Sequence, residues 1–361
     1  MTVHESTYVP DVAVVDIALD VQPPKRRVVA RRLVATFLVV ALGSALWVRR
    51  ELIADALDEM GRLSFWALSI LITLTVYERW SRADIVRRLL GENVTLGRAV
   101  TIHDVGTAVS KGVPLGGAVG TAMRWSIARD SGVGSTRFAS TLIAYGIATT
   151  FVSWLLPFGA LLIDLTQRSA SGTDIAILIV IAAVVTASAV FWMIVLRSER
   201  LEGWAAGRIR TMWSKMAGRI TSLDAHDPAG SVAAVRHELF QIARRPLPLL
   251  GRTMLAQLCG SVILYVALRS LGVGTELEAT EFFRLFFITH LLGTFAPTPG
   301  GIGVVEAGAT GALVAAGVET TTALAAVLVY RFLTYVVPII FGAALYLVWR
   351  VRSARSRAAT L

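Results

Sequence analysis

Apolar runs long enough to cross a bilayer recur along this chain, and they leave few folds open to it. The runs at 28–48, 63–77, 137–165, 174–196, 249–271 and 321–349 are separated by charged segments, and several reach the ~18 residues that mark a membrane span. Hydrophobic residues make up 55% of the 361. The expected fold is an all-α polytopic membrane protein. The net charge of +10 does not point to nucleic acid, because the basic residues lie beside the spans, where they set orientation. The single cysteine, Cys259, excludes an intrachain disulfide and reads as a packed thiol.

Residues 1–27 read as a disordered cytoplasmic tail. The run from 28 follows Lys25-Arg26-Arg27 and is too long for a signal-peptide core, so it reads as an uncleaved span. The segment 197–248 is a polar linker. It carries Trp204, Ile209, Met212, Trp213, Met216 and Ile220 among arginines, which suits an amphipathic helix on the membrane surface or a solvated loop. A basic cytoplasmic tail, 350–361, follows the membrane region at 28–349.

With the N-terminus in the cytoplasm, the segments 25–32, 79–98, 197–248 and 350–361 fall inside and hold 23 Lys or Arg. The outer segments 49–62, 166–174 and 272–281 hold 4. This asymmetry predicts a bacterial-type plasma membrane protein with both termini cytoplasmic. It also requires the stretch 97–131 to begin and end inside. Two arms of about 16 residues, at ~1.5 Å each, fall short of a ~30 Å hydrocarbon core. A re-entrant hairpin is expected there, broken at Gly112-Val113-Pro114-Leu115-Gly116-Gly117. By the same argument 282–316 is a hairpin entering from outside, broken at Ala296-Pro297-Thr298-Pro299-Gly300-Gly301-Ile302-Gly303. Two prolines and three glycines preclude one straight helix through that stretch. Unwound backbone at membrane depth is tolerated where it lines a cavity.

Shifting the chain by 185 residues pairs Pro114 with Pro299, Gly116 with Gly301, Gly132-Val133 with Gly317-Val318, Tyr145 with Tyr330 and Thr149 with Thr334. It gives nine identities in 36 positions. His103-Asp104-Val105-Gly106-Thr107 echoes His290-Leu291-Leu292-Gly293-Thr294 after a short gap. The expected architecture is six spanning helices plus two re-entrant helical hairpins in an inverted-topology repeat, with halves at about 28–165 and 174–349. Such repeats place a substrate site near the midplane. His103 and His290 precede the two breaks, either as packing groups or as proton carriers. Glu306 and Arg331 lie inside apolar segments, where ionisable groups mark functional sites or pair with one another. Lys111 stands at a hairpin mouth, suited to a head group. Arg129, Arg252, Arg269 and Arg284 read as interface residues that snorkel.

Pro297-Thr298-Pro299-Gly300-Gly301-Ile302-Gly303-Val304-Val305-Glu306-Ala307, with Gly317 and Tyr330-Arg331, resembles the flippase-like integral membrane family, which includes the transmembrane region of lysylphosphatidylglycerol synthases. Pro114-Leu115-Gly116-Gly117 with Arg124 is similar to the first half of that pattern, except that Thr121 stands where the repeat calls for a carboxylate. The resemblance covers about 28–349. With no synthase domain after Trp349, it implies translocation without aminoacyl transfer. The candidate site comprises Pro114, Gly116, Gly117, Pro299, Gly300, Gly301 and Gly303 at the breaks, together with His103 and His290, which the repeat places before them. Arg124 and Arg331 would take a lipid phosphate, and Glu306 would carry the counter-charge or a proton.

No metal constellation, phosphate-binding loop or Ser/His/Asp arrangement is legible, so neither cofactor, metal nor ATP is expected. The function expected is a lipid translocase rather than an enzyme. Its substrate would be an anionic phospholipid or a polyprenyl-phosphate-linked lipid, and its partners membrane lipids, without nucleic acid. A homo-oligomer or an envelope-synthesis partner is a further expectation. The alternatives are a membrane-embedded lipid-modifying enzyme and a non-catalytic partner in envelope biogenesis.

Overall fold

The computed structural model describes residues 61–113, 116–167, 172–198, 228–273, 277–294, 301 and 303–359, with isolated helical positions at 40, 44, 47, 50, 54 and 58. The tail 1–27, most of the expected span at 28–48 and the stretch 204–220 lie outside the described residues. So do Pro114, Pro299 and Gly300.

The described residues are helical, without strand. In chain order they form α1 (Phe65–Leu90), α2 (Leu96–Gly112), α3 (Gly116–Arg129), α4 (Ser135–Gln167), α5 (Gly172–Arg197), α6 (Pro228–Ala243), α7 (Pro246–Ser270), α8 (Ala279–Thr294), α9 (Val304–Ala315) and α10 (Thr320–Arg331). A π-helical turn, Phe332–Val336, then leads into α11 (Val337–Ala359). Among the described residues, four stretches are long and apolar enough to cross a membrane: Ser135–Thr166, Ile175–Val195, Pro246–Ser270 and the continuous Thr320–Ser353. Within the second of these, Ile179, Val180, Phe191 and Ile194 are exposed, as suits a helix apolar all round in lipid.

Helix α1 departs from the expected span, which was to end at Tyr77. Ser64 caps its start by accepting from the N–H of Ala67 at 3.2 Å. Its first half is apolar, with Phe65, Trp66 and Ile72 exposed. It then runs on through Glu78, Arg79, Arg82 and Asp84 to Leu90, where Gly91 at φ 109° ends it. The continuation buries Ala83, Ile85, Val86 and Leu89. Tertiary packing, not hydropathy, sets where this helix stops.

Both breaks expected from the sequence separate helices: α2 from α3, and α8 from α9. The paired glycines behave alike. Gly132 and Gly317 take φ of 74° and 91°. Val133 donates to the carbonyl of Ala128 at 3.3 Å, as Val318 does to that of Leu313 at 3.0 Å. Each is the six-to-one bond that ends a helix on a left-handed glycine.

Two large apolar cores result among the described residues, beside a small cluster of Ile85, Leu89 and Ala256. In one, Ile102, Val105 and Val109 of α2 and Ile127 of α3 meet Val336 and Ile339 from the far end of the chain. In the other, Phe282 and Phe286 of α8 and Leu313 of α9 meet Val152 and Leu156 of α4, together with Ile263 and Val327. Helix α2 thus packs on α11, and α8 on α4. The first contact closes over Gly342, where a Cβ would stand 2.3 Å from the carbonyl oxygen of Asp104 and 2.6 Å from Ala108 Cβ. Gly342→Ala is expected to cost about 1–3 kcal/mol through overpacking, measured as a lower Tm in detergent. Gly251→Ala is the control and should not lower it, because nothing lies within 4 Å of that position.

Candidate functional site

Between the two cores lies a cavity of about 430 Å³. Its walls come from both broken helix pairs and from the helices around them. Five cations line it: Arg79 and Arg82 from α1, Lys111 from α2, Arg124 from α3 and Arg331 from α10. Charges in such a place are expensive unless they are paired or solvated.

Three of the five meet carboxylates. Arg82 Nε donates to Glu78 Oε1 at 2.7 Å, one helical turn away on the same face. Arg79 lies 3.0 Å from Asp104 Oδ2, and the other oxygen of Asp104 lies 2.9 Å from His103 Nδ1. Arg331 Nε donates to Glu306 Oε1 at 2.8 Å. The remaining oxygen of Glu306 accepts from the N–H of Gly303 at 2.8 Å. One carboxylate therefore neutralises a buried guanidinium and caps α9. Gly303 can turn its N–H to that oxygen because it sits at φ 81°, a conformation open to glycine.

Lys111 and Arg124 meet no carboxylate among the described residues. Lys111 Nζ donates to the carbonyl oxygen of Thr334 at 2.8 Å. That carbonyl is open to it because Pro338, four residues on, has no N–H to give, and the intervening π turn already departs from the α-helical pattern. In return Tyr335 Oη donates to the carbonyl of Lys111 at 2.7 Å. The Tyr335 ring faces two cations, with Arg331 Cζ at 4.7 Å and Lys111 Nζ at 5.5 Å from its centroid. Arg124 reaches Thr107 Oγ1 at 3.4 Å. It lies across Gly106, where a Cβ would stand 2.1 Å from its Nε. Among the described residues the site thus holds two positive charges beyond what its carboxylates balance, a setting that suits a phosphate bound by an ammonium and a planar guanidinium.

Of the sequence-derived candidates, Arg124, Arg331, His103 and His290 line this cavity, with Glu306 bonded behind Arg331. His103 lies edge-on to Tyr145, and His290 stacks on Phe286 at 5.9 Å. Tyr145 and Tyr330, paired by the 185-residue shift, both face the cavity. Gly301 is buried at φ 69° beside the second break. Gly116 is not among the cavity's lining residues. It packs α3 onto α2, where a Cβ would stand 2.2 Å from the carbonyl oxygen of Val109. Gly117 is exposed, with open space around it. Thr121 bonds back to the carbonyl of Gly117 at 2.9 Å.

Arg79 and Arg82, in the segment 79–98 expected on the cytoplasmic face, line the cavity, and Glu78 lines it with them. The legible signal was the Glu78/Arg82 spacing on a helix that does not end at Tyr77. Gln257 also lines the cavity and donates to Ser153 Oγ at 3.0 Å. The arginines read as snorkelling interface residues are partly engaged inside the protein. Arg252 lies 3.3 Å from Asp84 and Arg284 3.2 Å from Asp164. Arg269 donates to the carbonyls of Val273 and Leu277 at 3.0 and 2.8 Å.

A family model described as lysylphosphatidylglycerol synthase TM region matches residues 29–342. Comparison with curated proteins gives no match.

Proposed function

The chain belongs to the lysylphosphatidylglycerol synthase transmembrane-region family, and from that premise we propose that this multi-pass membrane protein is a lipid translocase. It moves a lipid with an anionic head group between leaflets of a bacterial-type plasma membrane, with both termini cytoplasmic. The reading rests on one observation, the excess of two cations, Lys111 and Arg124, in a cavity shared by the two broken helix pairs. A volume of about 430 Å³ lies within the ~300–1,000 Å³ range of small-ligand sites. It suits a head group whose apolar chains stay in the bilayer.

The matched helix ends at Gly132 and Gly317, and the matched tyrosines in the cavity, support an inverted-topology repeat of six spans and two re-entrant hairpins. In such folds one half rocks against the other around a fixed site. A continuous series of contacts supplies the tie between the halves here. Gly303 holds Glu306, Glu306 holds Arg331, Arg331 lies on Tyr335, and Tyr335 and Thr334 hold Lys111. A phosphate that draws the Lys111 ammonium from the Thr334 carbonyl loosens that tie, coupling arrival of the head group to movement of the hairpin.

The test is transfer of chain-labelled phosphatidylglycerol between leaflets of vesicles holding the full chain. Lys111→Gln and Arg124→Gln each remove a charged hydrogen-bond donor worth about 1.5–3 kcal/mol, so each should slow transfer about tenfold or more. Gly106→Ala should act in the same direction by displacing Arg124. Unchanged transfer in both charge variants would overturn the assignment. Release of a modified product from the labelled lipid would favour a lipid-modifying enzyme instead.

A further inference from the structure

Beside the cation-lined cavity runs a second recess, of about 320 Å³ and different character. Leu156, Gly159 and Ile163 of α4, Met254 of α7, and Phe283 and Phe287 of α8 line it, and no charged side chain does among the described residues. Phe287 belongs to both spaces, so its ring is the partition between them. It stacks on Phe283 at 6.2 Å and 19°, and Phe283 stacks on Tyr265 at 5.9 Å, giving the groove a flat aromatic side. Next to its other end, one residue beyond Ile163 and Thr280, Arg284 joins Asp164 at 3.2 Å and Glu281 at 3.8 Å. The groove therefore leads from a charged cluster near the end of α4 to the wall of the cation-lined cavity. The neighbouring Leu162 and Leu255 are exposed, as side chains facing lipid are.

We infer that this groove seats one apolar chain of the same lipid whose anionic head group occupies the cavity, with Phe287 at the junction. The inference rests on the translocase reading for the cavity's ligand. It adds that the substrate is recognised by its chain as well as by its phosphate. A head group held among Lys111 and Arg124 must still leave its chains in an apolar medium, because exposing methylenes to water is unfavourable. The groove adjoining Phe287 offers such a medium directly beside the cavity. Gly159 gives a way to close it. Nothing lies within 4 Å of a Cβ built there, so a larger side chain enters the groove without a backbone clash.

The experiment uses the full chain in phosphatidylcholine vesicles, with phosphatidylglycerol bearing a photoactivatable diazirine in one acyl chain, and maps the crosslinks. Crosslinks should concentrate on the peptides holding Met254, Phe283 and Phe287. They should fall severalfold in Gly159→Leu and Gly159→Phe. They should fall likewise in Lys111→Gln/Arg124→Gln, and when the probe is the matching diacylglycerol, which has no phosphate. Labelling spread evenly over lipid-facing helices such as α5 would overturn the groove, and so would equal labelling by the diacylglycerol. Selective labelling in a protein that transfers no lipid upholds the groove and sinks the translocase reading. Undiminished transfer and labelling in Gly159→Phe overturns the groove and leaves that reading standing.

Discussion

Glu306→Ala strips the Arg331 guanidinium of its carboxylate and should lower the stability of the purified protein by about 3–5 kcal/mol, the usual cost of breaking a buried pair from one side. The side chains are 14% and 8% exposed, so water cannot take over the lost charge. Arg331→Leu should cost a similar amount. The double variant Glu306→Leu/Arg331→Leu should recover most of it, because two apolar groups leave no uncompensated charge. Thermal melts of the four proteins in detergent close the cycle, and additive losses would show that the 2.8 Å contact contributes nothing. Glu306→Gln separates the helix cap from the charge; because Arg331 is again left uncompensated, it too should lower the Tm. It keeps an acceptor for the N–H of Gly303 but removes the charge. The expected result is a protein that inserts and folds yet fails to move lipid in vesicles; full activity would reduce the pair to scaffolding.

Asp104→Asn carries the second large effect. Asp104 is fully buried and meets Arg79 at 3.0 Å and His103 at 2.9 Å. The amide keeps the shape and removes the charge, so Arg79, 11% exposed, is left against the ring of Phe341. A loss of about 3–5 kcal/mol is expected. Asp130→Asn is the comparison. That carboxylate is exposed and accepts from Trp349 Nε1 at 3.1 Å and Ser353 Oγ at 3.4 Å. Exposed charges contribute little, about 0–1 kcal/mol. Equal Tm shifts for the two variants would mean that the burial of Asp104 does not set its energetic role.

What the sequence made legible follows from what is local. A lone proline is carried inside a helix, as Pro157 is in α4, but prolines clustered with glycines disfavour a continuous helix, so the two breaks stood out. A carboxylate and a guanidinium in apolar runs need partners, so Glu306 and Arg331 could be foreseen as a pair although 25 residues separate them. The misread residues depend on distant chain. Glu78, Arg79 and Arg82 follow an apolar run, and arginines in that position ordinarily mark a membrane surface. They line a cavity instead because Asp104 comes to meet Arg79 and because α2, α11 and the π turn cover that end of α1. The Arg252–Asp84 contact spans 168 positions, which no local pattern encodes. Thr121 illustrates the limit of repeat reasoning. The position equivalent to Glu306 holds a hydroxyl that bonds its own helix, and the first half balances its charge with Asp104 and Glu78.

The crossed bracing of the two cores bears on how the chain is made. The hairpin of α2 and α3 finds its cover on α11, whose residues leave the ribosome more than two hundred positions later. Until then Ile102, Val105 and Val109 have no Val336 or Ile339 to meet, and the flat face that Gly342 fits stays open. During synthesis the first core therefore stands half built until α11 emerges, the stage at which non-local contacts slow folding and a chaperone or insertase has most to protect.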